Sequence, residues 1–385
     1  MLMLEQALVG SRRYWLWIIV LAAFVALGLW FYLIQLQRGL EITGMSRDIT
    51  WGLYIAQFTF FVGVAASAVT VVLPYYLHDY KHFAKVTILG EFLAIGGVVM
   101  CMLFIFVDMG QPARVINVML YPTPHSMMFW DMVSLTGYLL LNATIAFTTV
   151  YAERKGVLAP NWLKPLIFIS IPWAISIHTV TAFLYSGLAA RPFWMTAVLA
   201  PRFLASAFAS GPALLVLLCM ILRRCTSYDP GETAIGKLLT IVTYGMTISV
   251  FLTLVELFTA LYSAVPEHTE SFRYFFVGIG GADALVPWTW ASLLLGCAAL
   301  VMLYLPWLRS SSQIMAVACV CVFLSLWMEK GMGLIVGGFV PSPLGAVTEY
   351  RPTRPELAIV AGIWATGALI VTVFYKITVA LRSNA

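Results

Sequence analysis

Ten uninterrupted apolar runs, each long enough to cross a bilayer as a helix, leave this chain little choice of fold. They fall at approximately 14–34, 51–77, 86–107, 128–150, 165–190, 203–222, 238–263, 286–307, 313–336 and 357–380. A helical crossing takes roughly 20 mainly apolar residues. The runs are continuous rather than alternating, which predicts helices and not a β-barrel. Of the 385 residues, 62% are hydrophobic and only 10% charged, whereas a soluble domain carries about a quarter charged. Too little polar surface exists to face water all round. The expected fold is an all-α integral membrane protein of about ten transmembrane helices. A single polytopic domain fills residues 1–385, with no soluble domain. Arg12 and Arg13 precede the first run, and no small-residue cleavage site follows it. This predicts a signal anchor rather than a removed leader.

Lysine and arginine set the expected orientation. Of the 22, thirteen fall on one side, among them Arg12, Lys85, Lys155, Arg224 and Arg309, and nine on the other. The bias places both termini in the cytoplasm. The opposite, outer side carries the longer connections at 108–127, 264–285 and 337–356, with clusters such as GFVPSPLG at 338–345. Trp51, Trp130, Trp194, Trp288, Trp290 and Trp307 lie near predicted helix ends, where interfacial anchoring is the expectation. Two small-residue strings, VGVAASAV at 62–69 and SAFASG at 206–211, allow close helix approach. They mark candidate corresponding helices of a duplicated four-helix bundle.

Ionisable residues inside spans are costly and usually functional. His178 and Glu256 are deep and lack a sequence-adjacent partner, so function is the preferred reading. Asp131 sits where an anion suits a helix N-terminus, and both structural and functional readings stay open. Asp108 is expected to close its loop through an ion pair with Arg114, and Glu329 with Lys330 to form an interfacial charge pair. Glu91, toward the cytoplasmic side, is either a rung of a proton path or a satisfied buried group. The outer half thus collects most of the titratable groups, as a proton-exchanging site requires.

Haem held by two axial histidines inside the bundle is not expected. Of His78, His82, His125, His178 and His268, only His178 lies within a span. The six cysteines form no C-x-x-C pair, so neither zinc nor an iron–sulfur cluster is expected, and no metal site. They read as small buried apolar residues.

ITWGLYIAQFTFFVGVAAS at 49–67, VDMGQPARVINVMLYPTPHSMMFWD at 107–131, HTVTAFLYSGLAARPFW at 178–194 and APRFLASAFASGPALL at 200–215 carry a resemblance over nearly the whole length. They are similar to the D-x-G-x-P-x-R loop and the H-x-x-T-A and R-P-x-W elements of the NrfD/PsrC family of quinone-reactive membrane subunits. Within that family the ten-helix layout, PYYLHDYKHF (74–83) and LYPTPHS (120–126) resemble the DsrP branch, from DsrMKJOP sulfur-metabolism complexes. The resemblance implies two helical bundles with flanking helices and a menaquinone site near the outer face, with no haem or iron–sulfur cluster in the chain itself. It implies as partners a periplasmic ferredoxin-like iron–sulfur subunit (DsrO-like), a membrane cytochrome b, a cytochrome c and a cytoplasmic iron–sulfur subunit. The family sometimes has other polar residues where this chain offers Tyr54 and Gln57.

Oxidising menaquinol releases two electrons and two protons, and buried carboxylates and histidine make bases of tunable strength. On this reading His178 and Glu256 accept protons or hydrogen-bond the ring, and Asp131 relays protons outward. Tyr54 and Gln57 orient the headgroup. Arg191 and Arg114 steady the site or the partner interface. The rival reading is a secondary transporter or proton channel, which predicts polar residues continuing to the cytoplasmic side. Only Glu91 is clearly there. A passive anchor for other subunits would leave His178 and Glu256 without purpose.

Overall fold

A computed structural model describes residues 3–383. Ten helical spans organise it: Arg12–Arg38, Leu53–Leu77, Lys81–Asp108, Met127–Lys155, Leu163–Ser186, Leu199–Cys225, Glu232–Ser263, Val286–Tyr304, Ser312–Gly337 and Arg354–Ala380. Among the described residues the only extended pairing is one bridge, Ile279 with Ala282. The second to fifth spans pack around one another as one group, and the sixth to ninth as another. The second span lies against the sixth and the ninth, and the fifth against the sixth, which joins the groups. The tenth span packs on the first and third.

Burial follows this plan. Residues 53–72 of the second span are all buried, so it is the centre of the protein, and only its last turn, ending at the exposed Leu77, reaches the surface. The first span is the reverse, with only Leu21, Gly28 and Gln35 buried. Those three recur every seven residues and form one narrow stripe, as a helix lying on a single neighbour requires. Gly28 meets Gly362 of the tenth span so closely that a Cβ on Gly28 would stand 2.8 Å from the Gly362 Cα. Gly28→Leu is therefore expected to cost about 1–3 kcal/mol by overpacking. Thermal unfolding in detergent reads this, and an unchanged midpoint would refute the contact.

The small-residue strings form the seam between the groups. Gly63 faces Ala207 and Ser210, each at 3.6 Å from its ideal Cβ, and Gly211 abuts Ser67. The second span does not run unbroken there, as its apolar run predicts. It is α-helical over Leu53–Ala65, tightens to a 3₁₀ turn over Ala66–Ala68, and resumes at Val69. With alanine and serine at the turn, backbone meets backbone and dispersion does the holding.

The ninth span also departs from a plain helix. Trp327–Gly333 is a π-helix inside it. The wider turn aims successive side chains differently: Glu329 reaches the sixth and seventh spans, whereas Lys330 lies over the Phe203 ring at 4.2 Å. The expected Glu329–Lys330 interfacial pair is therefore corrected, since Lys330 is 5% exposed and Glu329 pairs with Arg202. The connection at 264–285 contains a helix, Pro266–Phe276, which buries Phe272 and Phe275 against the second group.

Two of the tryptophans expected to anchor at the interface pack inside the protein instead. Trp194 is fully buried and donates to the Leu334 carbonyl at 2.8 Å. It stacks on Trp51 at 5.9 Å and meets Phe339 edge-on, packing the 338–345 loop down. Three cysteines are likewise not fully buried: Cys225 and Cys297 are exposed and Cys321 is half-buried.

Candidate functional site

One large cavity, about 960 Å³, is within the size range of small-molecule sites. Its walls come from the first, second, eighth, ninth and tenth spans and the 350–352 segment. It opens sideways where Phe24 and Leu357 are exposed, that is, toward lipid. Gln57 is its buried polar centre. Trp327 Nε1 donates to Gln57 Oε1 at 2.8 Å and Trp364 Nε1 donates to the same oxygen at 3.1 Å. Indole nitrogens can only donate, so the atom facing both must be the oxygen. That fixes the amide, and its Nε2 is buried with no hydrogen-bond partner. Trp288 packs on Trp327 at 5.3 Å and completes an aromatic wall. The sequence shows none of this, because the three indoles lie on three different spans far along the chain.

Behind Gln57, one turn toward the loop end, Tyr54 donates to Gln35 Oε1 at 2.7 Å, and Gln35 Nε2 donates to the Val107 carbonyl at 2.6 Å. Tyr54 is fully buried, supports the cavity wall and does not line it. Tyr350 does line it, and donates to the buried Glu356 at 2.6 Å while accepting from the Leu53 amide at 2.8 Å. Burial, and next the Glu356 carboxylate, push the Tyr350 phenol well above its ordinary pKa. Glu349 receives the Ala284 and Asp283 amides at the start of the eighth span. Chiefly the Ala284 amide, aided by the Asp283 amide and Arg351, holds its carboxyl below the usual range.

The remaining predicted residues lie elsewhere. In the first group, Asp131 accepts from Thr181 Oγ1 at 2.7 Å. His178, one turn before Thr181, is 1% exposed, and neither ring nitrogen has a hydrogen-bond partner. A void of about 10 Å³ beside it is about the size that admits one water. Glu91 is buried on the third span. In the second group, Arg202 bridges two carboxylates: Nη1 donates to Glu256, and Nη2 donates to Glu329 at 2.7 Å. Thr253 adds a bond to Glu329 at 2.9 Å. Glu256 thus has a partner that sequence distance conceals. Arg202 itself is visible in the sequence as the lone cation entering the sixth apolar run.

Arg191 lies with its guanidinium 4.3 Å over the Phe339 ring and Nη1 3.4 Å from the Phe339 carbonyl. Burial lowers its pKa. It pins the 338–345 loop and touches none of the other predicted residues. The expected Asp108–Arg114 pair is corrected: Arg114 is exposed, and Asp108 Oδ1 is buried without a hydrogen-bond partner. Of Tyr54, Gln57, His178, Arg191 and Glu256, then, only Gln57 lines the large cavity. No group of three or more His, Cys, Asp or Glu side chains among the described residues is arranged to hold a metal.

Among known proteins similar to this one are two named as membrane subunits. A putative dimethyl sulfoxide reductase membrane subunit of Halobacterium salinarum is 28% identical over 405 residues, covering 93% of this chain and 89% of the relative. A selenate reductase subunit of Mesobacillus selenatarsenatis is 23% identical, covering 68% of this chain and 69% of its own length. The Hdr-like menaquinol oxidoreductase integral membrane subunit of Archaeoglobus fulgidus is 25% identical, covering 54% and 50%. The family model described as polysulphide reductase, NrfD, matches residues 41–340, and this multi-pass membrane chain belongs to that family.

Proposed function

We propose that this chain is the membrane subunit of a respiratory reductase-type complex and that it binds menaquinone or menaquinol in the Gln57 cavity. The observation that carries the reading is Gln57 on the wall of a large apolar cavity, its amide oxygen held by two indoles and its own N–H group buried and unpaired. A quinone needs that combination: aromatic walls for the ring, a lipid-side opening for the tail, and a donor for one carbonyl. A menaquinol oxidoreductase subunit among the relatives supports the choice of quinone.

Quinol oxidation sends two electrons to a partner and two protons to water. Electrons pass to an iron–sulfur partner of the DsrO type at the loop-rich end, within a DsrMKJOP-like assembly serving sulfur metabolism. The loop-rich end is then periplasmic, the chain lies in the inner membrane, and both termini are cytoplasmic, as the lysine and arginine bias indicates. Gln57 anchors the headgroup, with Tyr54 behind it as support. His178 and Asp131 with Thr181 in the first group, and Glu256 with Arg202 in the second, handle protons rather than touch the ring.

Binding of a short-chain menaquinol analogue to the purified chain tests the assignment. Gln57→Leu is expected to weaken binding about tenfold or more, because it removes a hydrogen-bond donor and strands two indole N–H groups. A folded Gln57→Leu protein that binds like wild type would move the quinone elsewhere.

A further inference from the structure

The second helical group holds a cavity of its own, about 130 Å³, separate from the one at Gln57. It lies between the seventh and eighth spans. Phe272, Phe275 and Phe276 of the short helix Pro266–Phe276 close it on the loop side. Leu254 and Leu293, 52% and 42% exposed, flank a lateral mouth. Its hydroxyl groups are mostly spoken for: Ser292 and Ser325 each donate to the other's carbonyl at 2.8 Å, and Thr289 donates to the Leu285 carbonyl at 2.9 Å.

Glu329 differs. Its Oε1 accepts from Arg202 and Thr253, yet its side chain remains 25% exposed. The spaces it lines are this cavity and a void of about 10 Å³ beside Lys330. A carboxylate edge open to an apolar space inside a membrane is costly unless a donor meets it.

We propose that this cavity is a second ligand site, for a membrane-soluble hydroxylated aromatic ring of the phenol or quinol class. The ring enters from the bilayer between the seventh and eighth spans and donates its hydroxyl to Glu329. Size fits one ring, since an apolar cavity of about 150 Å³ admits benzene. The phenylalanines offer edge-to-face partners. Depth argues against a phospholipid headgroup: Gly296, on the cavity wall, lies ten residues into a span that starts at Val286, about 15 Å at 1.5 Å per residue. The Gln57 cavity shares no wall residue with this one.

Photolabelling of the full chain in nanodiscs with a diazirine-bearing alkylphenol, followed by peptide mapping, tests it. The expected labels fall on residues 246–254 and 289–297. Leu293→Trp, which plugs the mouth from the lipid side, should cut them at least tenfold, and Gln57→Leu should leave them unchanged. The methyl ether of the same probe should label about tenfold less, the worth of one hydrogen bond to a charged group. Equal labelling by the ether would reduce the cavity to a crevice for any chain. Labels insensitive to Leu293→Trp, or confined to the Gln57 cavity, would likewise overturn the site. Loss of labelling at Gln57 alone would count against the menaquinone reading and leave this one standing.

Discussion

Arg202→Met should destabilise the protein by about 3–5 kcal/mol, the usual consequence of stripping a buried charge of its partner. The Arg202 side chain is 11% exposed and its guanidinium holds together the side chains of Glu256 and Glu329, at 9% and 25%. Without it two carboxylates face each other between helices, with Thr253 as the remaining donor to Glu329. The loss belongs to the unpaired carboxylates more than to the missing attraction. Adding Glu256→Gln and Glu329→Gln to Arg202→Met should therefore recover most of the stability, although it removes every charge of the cluster. Thermal unfolding of the two variants in the same detergent decides it. If Arg202→Met melts with the wild type, the triad is a surface-like pair of little worth.

Gly211→Leu should have the next largest effect, about 3 kcal/mol, at the upper end of what overpacking costs. The Gly211 Cβ position is already taken by Ser67, and the neighbouring backbone allows little retreat. The two helical groups would be wedged apart along their whole seam. A size-matched pair tests the geometry: Gly211→Ala alone should destabilise, and Gly211→Ala with Ser67→Gly should restore stability. Strong coupling in that double-mutant cycle is expected of residues in direct contact. Additive effects would mean that the strings do not meet.

The spans are legible in the sequence because their signal is length and continuity, which lipid enforces on every helix alike. The first run at 14–34 corresponds to Arg12–Arg38, and the eighth, 286–307, to Val286–Tyr304. The irregularities inside helices are hidden. A 3₁₀ turn at Ala66–Ala68 and a π-turn at Trp327–Gly333 depend on which neighbour presses from outside, and apolar composition is blind to that. Charges can be placed on their spans from sequence, but their partners come out wrong when adjacency in sequence stands in for adjacency in space. Glu329 sits next to Lys330 in the chain yet binds Arg202, 127 positions away. Gln57 stands out as a polar group on the central span. Its indole partners Trp327 and Trp364 lie 270 and 307 positions further on and carry no local signature.

The fixed amide of Gln57 has an electrochemical consequence. Because both indoles engage its oxygen, the amide keeps only hydrogens, and no lone pair, to offer a quinone bound as proposed. A quinone carbonyl is a good acceptor for such a group, whereas a quinol hydroxyl is a poorer acceptor whose own proton gains nothing from it. For a quinone bound there as proposed, the oxidised form would be held more tightly than the reduced one, so the bound couple would have a lower midpoint potential than the free pool and would give up electrons more readily. A redox titration of menaquinone bound to the chain should show that displacement, and Gln57→Glu, which presents lone pairs in place of hydrogens, should shrink or invert it.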